Sequence, residues 1–392
     1  SASSFPSSGT VIIGSELIIY TGVSGNSLTG LTRGANGTTA ASHSSGATVK
    51  DASGYAGWNT AVSGDVVTAP GLWSLDNFGN KLIATITGGE SFEWDSNPTI
   101  ANNTRATIIS GAPTASEFSL VSTPDRHVVF FGTETTIGTS STQDPMFIRF
   151  SSQEDINTYT PSATNTAGTQ RLSDGSKIVG AIRGRDAIYV WTDTALFIMR
   201  FVGPPFTFSF QQVGTNCGLI GKNAAVEVDG AAYWMSENGF FRYTGKLESL
   251  PCLVEDHVYD DINTTPKQHI NVGLNNLFGE IMWFYPNSGS GTVNRMVAYN
   301  YLDSSPERPV WTVGTLARTA WQDSAVFGKP HATEYDADGT TAVDVNHVYG
   351  CTDGVSTYFE HETGLNQVKE GAITAITASI ESGDFDIGQQ GL

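Results

Sequence analysis

No stretch of this sequence sustains the 3.6-residue apolar period of an amphipathic helix with charged partners four residues apart. Helix is therefore expected to be scarce, and one short helix within Leu253 to Ile262, where Glu255, Asp256, Asp260 and Asp261 cluster, is the single one allowed. No apolar run is long enough to span a bilayer, and no signal peptide precedes the first strand. Cysteine is sparse. Cys217, Cys252 and Cys351 are odd in number, far apart and without a CxxC pair, so they suggest neither a disulfide framework nor a zinc site but buried thiols of a protein folded in a reducing cytoplasm. Charged residues make up only 15% of the chain, and the 20 basic residues are outnumbered by 39 acidic ones. The resulting formal charge of −19 repels phosphate and argues against tight, sequence-reading DNA binding. It leaves room for DNA as cargo, because a conduit lined by Lys and Arg would hold the strand at every phosphate.

What is present is turn and strand. Forty-three glycines, abundant Thr and Ser, and 10% aromatic residues describe an all-β, turn-rich protein of 392 residues. The segment from Gly71 to Asp95 sets the pattern: Leu72, Trp73 and Leu75 lead to a break at Asp76 to Gly79, Leu82, Ile83 and Ile86 run to Gly88-Gly89, and Phe92 and Trp94 close three antiparallel strands. The pattern returns five times. Val128–Phe131 is followed by Met146–Phe150, Ala187–Trp191 by Ala195–Met199, Ala232–Met235 by Phe240–Tyr243, Ile281–Tyr285 by Arg295–Tyr299, and Val348–Cys351 by Ser356–Phe359. A recurrence at roughly 45 to 65 residues is the period of propeller blades rather than of a sandwich. The expected fold is therefore an all-β β-propeller of about six blades over residues 71–392. The plainer alternative is a stack of unrelated hairpins.

Residues 1–50 differ in texture, with a hairpin over Thr10–Gly14 and Glu16–Thr21 and a small-residue loop from Ala35 to Ala47. They are expected to form a small β module, a decoration or insertion on the main body, with residues 51–70 as a linker or first outer strand. The chain has no initiator Met and ends at Gly388–Leu392 in what reads as a strand connection. It is expected to be a segment of a longer polypeptide, the propeller continuing beyond Leu392.

Sites of chemistry are few. The histidines His43, His127, His257, His269, His331, His347 and His361 are scattered, and no GxSxG, HExxH or phosphate-binding glycine loop occurs. His43 between Ser42 and Ser44 lacks a local metal partner. Tyr335 to Gly339, with Asp344 beyond, departs from a calcium loop and reads as a solvated turn. A propeller hydrolase needs converging carboxylates, for which Asp186, Asp193, Glu237 and Asp353 are candidates on turns. Trp73, Trp283 and Trp311 are candidates for stacking on sugars, though blade core is their ordinary role. The run from Ser151 to Pro161 partly matches the Ser-x-Asp turn between outer propeller strands, in which the Asp accepts backbone N–H bonds above a packed aromatic. No catalytic, cofactor-binding or metal residue is assigned, and no enzyme activity is expected.

Four long phrases, Leu72–Gly89, Phe147–Phe210, Gly221–Cys252 and Ile376–Gly388, resemble tail proteins of bacteriophages, above all the tail nozzle or tail-tube protein of short-tailed phages. Phe5–Val49 resembles a small β module recurring in phage tail proteins. The resemblance implies a β-propeller virion structural protein, assembled in the bacterial cytoplasm as a homo-oligomeric ring of six copies. Such a ring sits below the head-to-tail adaptor, carries fibres or spike and forms a channel for DNA ejection. The other reading left open is a glycan-binding propeller that recognises the host surface.

Overall fold

In the computed structural model the described residues are 5–14, 16–35, 38–47, 49–51, 73–95, 106–123, 125–323, 330–335, 356–361, 366–369 and 372–375. Those up to 255 form one compact unit and those from 256 onward a second.

The first unit opens on β1 (Gly9–Ile13), β2 (Glu16–Tyr20), β3 (Gly22–Ser24), β4 (Ser27–Thr29) and β5 (Val49–Asp51). Here β1 lies between β2 and β5 in a three-stranded antiparallel sheet, and β3 and β4 form a separate hairpin. Val11, Ile18 and Tyr20 are its buried centre.

Four sheets follow, each a four-stranded antiparallel meander in chain order. The first consists of β6 (Trp73–Phe78), β7 (Lys81–Ile86), β8 (Ser91–Asp95) and β9 (Thr107–Ile108). The second is β10 (Phe118–Ser122), β11 (His127–Phe131), β12 (Phe147–Phe150) and β13 (Gly168–Arg171). The third is β14 (Ile178–Arg183), β15 (Ile188–Thr192), β16 (Ala195–Gly203) and β17 (Thr207–Thr215), and the fourth β18 (Ala225–Val228), β19 (Ala231–Ser236), β20 (Gly239–Tyr243) and β21 (Leu247–Leu250). In the second unit α1 (Glu255–Asp261) precedes a further such sheet, β22 (Asn271–Asn275), β23 (Glu280–Tyr285), β24 (Arg295–Asn300) and β25 (Trp311–Gly314). The last sheet has five strands, β26 (Ala320–Gln322), β27 (His331–Tyr335), β28 (Ser356–His361), β29 (Asn366–Lys369) and β30 (Ala372–Ala375).

The first strands of successive sheets in the first unit, β6, β10, β14 and β18, run beside one another, as do β22 and β26 in the second. Consecutive meanders stacked through their first strands are propeller blades, and the fold is an all-β β-propeller.

Stacking explains the apolar runs. Successive side chains of a strand point to opposite faces. Along β11, Val128 and Phe130 face the first sheet, packing with Phe78, Ile83, Ile109, Ile156 and Tyr159. Val129 and Phe131 face the third, in a cluster with Ile178, Ile188, Val190, Phe197 and Met199. The second strands β11, β15 and β19 are buried throughout, and β23 all but its first residue, so they read as unbroken apolar segments rather than as alternation.

The one α-helix among the described residues falls inside its expected bounds, with Val258 buried on one side. Pro204 and Pro205 sit in the turn joining β16 to β17, so neither removes a ladder donor. One expectation changes: the sequence places Ser356–Phe359 against Val348–Cys351, whereas β28 pairs with β27, Ala332 opposite Phe359. A short local turn was the wrong guide there, because the ladder is completed by a strand more distant in sequence; residues 348–351 lie outside the described ones.

Candidate functional site

The sequence candidates disperse. Asp186 and Asp193 flank opposite ends of β15. Asp193 is a turn residue, accepting from the Ser176 N–H at 2.8 Å and from the Ser176 hydroxyl. Glu237 is exposed in the β19–β20 turn, and Asp353 lies outside the described residues, as do residues 336–344 of the calcium-like segment. Among the described residues no group of three His, Cys, Asp or Glu side chains is placed to hold a metal. Trp283 is core, Trp311 packs against Trp283 and Tyr299 with ring centroids 6.2 and 4.8 Å away, and Trp73 is exposed beside Phe92. Cys217 is buried and Cys252 partly so, both free thiols pushed up to about 11 by burial.

His43 has a role the sequence did not suggest. Its Nε2 lies 2.7 Å from Oε2 of Glu16, a wholly buried carboxylate on β2. Arg33 donates to both Glu16 oxygens, Nε at 2.6 Å and a terminal nitrogen at 2.7 Å, and the N–H groups of Gly34 and Ala41 add bonds of 2.9 and 3.0 Å. The histidine is one spoke of a carboxylate hub that gathers the loop after β4.

His127, wholly buried at the start of β11, holds a second constellation. Its Nδ1 is 2.9 Å from Asp125 Oδ2, and both Asp125 oxygens accept from the Ser122 hydroxyl at 2.9 and 2.8 Å. On the other side, Nε2 lies 3.2 Å from Thr166 Oγ1. Hydroxyl, imidazole and carboxylate in line are the order of a nucleophile relay. Here, however, Phe208, Phe201 and Phe150 enclose the ring at 5.0, 5.7 and 6.3 Å, and Thr166 Oγ1 accepts from the Gln153 N–H at 2.7 Å. The arrangement ties the β12–β13 loop to the β10–β11 turn.

Where the first two sheets meet, the connecting segments enclose two cavities that share Asn157. One cavity of about 610 Å³ is walled by Phe78 to Lys81, by Asp95, by Arg126 and by Glu154 to Asn157. A second, about 440 Å³, shares Asn157 and is walled further by Gly111, Ala112, Ile137, Gly138 and Thr158 to Thr160. Gly79 shapes the turn, since its φ of +63° is a left-handed value and an added Cβ would lie 3.2 Å from the Arg126 guanidinium. Arg126 stacks over the Phe78 ring at 4.7 Å and pairs with Glu154 at 3.1 Å, and Lys81 pairs with Glu93 at 2.5 Å.

The partial Ser-x-Asp turn supplies a wall to both cavities. Ser152 N–H donates to the Thr158 carbonyl at 2.8 Å, Asp155 Oδ1 accepts from the Asn157 N–H at 2.8 Å, and Tyr159 is buried against Phe130. That turn was legible in sequence; its convergence with the β6–β7 turn was not.

Buried polar groups tie together the walls of the second cavity. Glu134, wholly buried, accepts from Thr114 N–H at 2.9 Å, from the Thr114 hydroxyl and from Gly138 N–H at 2.6 Å. Arg149 donates to the carbonyls of Tyr159, Glu134 and Thr135 at 3.2, 3.2 and 2.9 Å. These bonds fix the loops around that cavity.

Lys222, just before β18, is half-buried with its ammonium shielded from solvent. Its Nζ lies 5.5 Å from the Phe118 ring with no hydrogen-bond partner among the described residues, and burial pushes its pKa down to about 8. Between about 8 and the ordinary 10.5 the unfolded chain binds this proton and the folded one does not, so stability rises with pH across that window. Lys222→Met is expected to be at least as stable as the parent at pH 7 and to flatten that rise, as read by urea melts at pH 7 and 9.5.

No protein-family model matches the chain, and no curated protein matches it. Among solved structures, Kluyvelomyces marxianus Hsv2 is similar at 11% identity, covering 68% of this chain and 76% of its own, with a TM-score of 0.37. The N-terminal domain of Nup159 is similar at 9% identity over 78% of this chain and 76% of its own, TM-score 0.41. The dihydro-heme d1 dehydrogenase NirN is 11% identical over 85% of this chain and 60% of its own, TM-score 0.42. At these scores the likeness extends to no residue's role.

Proposed function

We propose that this chain is a virion structural protein of a short-tailed phage, a subunit of the tail nozzle or tail tube below the head-to-tail adaptor. It assembles as a homo-oligomeric ring of six copies that extends the channel for DNA ejection and carries fibres or spike. The observation that carries this reading is where the phage-tail-like phrases fall. Leu72–Gly89, Phe147–Phe210 and Gly221–Cys252 coincide with β6–β7, β12–β17 and β18–β21, the strands that make the blades, rather than with one exchangeable loop. The charge of −19 supports it, because a channel that repels phosphate lets duplex DNA slide as non-specific cargo.

The test is a cryo-electron reconstruction of the intact particle with this chain traced in it. A symmetric ring on the tail axis, its lumen poor in Lys and Arg, is the expected result. A peripheral position, or a lumen lined by basic side chains, overturns the conduit reading.

A further inference from the structure

We propose that the hairpin joining β16 to β17 dips its tip into the surface of a zwitterionic phospholipid bilayer. In the third sheet Arg183, the last residue of β14, lies opposite Ile188, the first of β15, and Ile188 lies opposite Met199 of β16. Past that row β16 and β17 run on alone, Arg200, Phe201 and Gly203 pairing with Ser209, Phe208 and Thr207. At about 3.3 Å per residue this two-stranded arm extends roughly 10 Å beyond the other strands of its sheet.

The arm is braced on one side. Phe208 is buried, its ring 4.9 Å from Phe150 and 5.0 Å from His127, and the Thr207 hydroxyl donates to the Thr166 carbonyl at 3.0 Å. The tip itself is bare. Val202 is 54% exposed and Phe206 77%, with Pro204 and Pro205 exposed between them and Phe201 41% exposed at the base.

The chemistry of the tip selects an apolar fluid over a protein partner. From Phe201 to Phe206 no side chain carries a polar atom, so nothing there fixes the register of a specific partner, whereas an acyl-chain boundary needs no matching group. The backbone is spare as well: Pro204 and Pro205 have no N–H, and the Phe206 carbonyl accepts from the Phe208 N–H at 2.7 Å. Few groups therefore lose hydrogen bonds when the tip leaves water, which is the condition that lipid imposes.

A second observation lies outside the tip. Arg200 at the base of the arm and Arg185 in the β14–β15 turn are exposed at the same end of the sheet, and neither guanidinium has an ion-pair or hydrogen-bond partner among the described residues. In a chain with 39 acidic and 20 basic residues, two unmatched cations beside one apolar tip suit lipid phosphates at headgroup depth. Asp186 is exposed beside Arg185, and the formal charge of −19 opposes an anionic surface. Zwitterionic lipid fits both facts, since it offers phosphate within reach and carries no net charge.

One tip gives weak, reversible binding, no stronger than the association constant of about 10⁴ M⁻¹ of a single acyl chain. The full chain, floated with phosphatidylcholine vesicles at about 5 mM lipid, is expected to rise with them in part. Phe206→Asp and Val202→Asp should each lower the partitioning about tenfold. Both should leave the melting temperature unchanged, because the side chains they replace are exposed. In a Phe206→Trp variant the added emission should shift to the blue on vesicles and be quenched by lipid brominated along its acyl chains. Absence of flotation, flotation indifferent to both Asp substitutions, or flotation on anionic vesicles alone overturns the proposal. So does loss of self-association in the Asp variants without any lipid binding, which would make the tip a contact between copies. The inference goes beyond the tail reading and does not rest on it: a ring on the tail axis without flotation refutes only this site, and flotation of a peripheral chain refutes only the conduit.

Discussion

Asp76→Ala is expected to lower the stability of the first unit by about 2–3 kcal/mol. Asp76 lies on β6, its side chain 10% exposed, and joins three blades. Its Oδ2 accepts the Val121 N–H of β10 at 2.7 Å, and the Arg183 guanidinium of β14 donates to its two oxygens at 2.8 and 3.0 Å and to the Val121 carbonyl at 3.2 Å. Two residues earlier on the same face, Ser74 Oγ accepts the Ser119 N–H at 2.9 Å. The inner edge of β10 pairs with no further strand, and these side chains satisfy its donors in place of one.

Removing the carboxylate therefore orphans a buried backbone N–H and strips Arg183 of its partner. Orphaned groups of this kind cost more than the bond itself contributes. The melting temperature should fall by roughly 5–10 °C. Arg183→Ala should cost less, because Arg183 is 43% exposed and its loss leaves the Val121 N–H bond intact. A double-mutant cycle should return a coupling of at least about 0.5 kcal/mol. Denaturant midpoints are the measurement, and an Asp76→Ala variant indistinguishable from the parent would refute the account.

The second large effect is local. Glu16→Gln is expected to release the loop from Arg33 to His43 while the blades keep their fold. The carboxylate accepts from Arg33, Gly34, Ala41 and His43, and an amide in its place turns one acceptor into a donor facing donors. Trypsin cleavage after Arg33 should accelerate roughly tenfold or more, and the Gly34 and Ala41 amides should lose their exchange protection.

Proton linkage supplies a check. The Arg33 guanidinium holds the Glu16 carboxyl well below the usual carboxylate range, against the opposing effect of burial, with help from the Ala41 and Gly34 N–H groups and His43. A depressed pKa stabilises the folded form fully above the ordinary value of 4.5, and that contribution disappears as pH falls through the folded-state value. Wild-type loop protection should thus persist from neutral pH to below about 4.5 and fade in stronger acid, whereas Glu16→Gln should show no such dependence. Loss of protection in the wild type already near pH 6 would contradict the hub.

Blade strands were legible because burial on two faces leaves a direct mark on sequence. Val128–Phe131, Tyr189–Trp191 and Ile281–Tyr285 are unbroken apolar runs since each is covered by blades on both sides or closely packed within its own unit. The helix at Glu255–Asp261 and the turn at Ser152–Asp155 were legible too, being decided by neighbours within a few residues. The strand partner of Ser356–Phe359 was misread because local turn chemistry cannot rank a nearby strand against a distant one. The larger cavity left almost no trace, its walls coming from four separate segments whose residues are ordinary turn formers.

The sequence by itself determined that this protein is all-β, that its strands recur at the spacing of blades, and that it carries strong negative charge. Those properties are sums over residues or patterns with a period of two, and they survive without knowing who touches whom. Only the tertiary structure decided that Glu16 meets His43, that Asp76 meets Arg183 across 107 positions, and that the Tyr159 hydroxyl is buried with no hydrogen-bond partner among the described residues. A polar side chain's role is set by the few atoms within hydrogen-bond reach, and blade stacking, which the apolar residues drive, chooses those atoms.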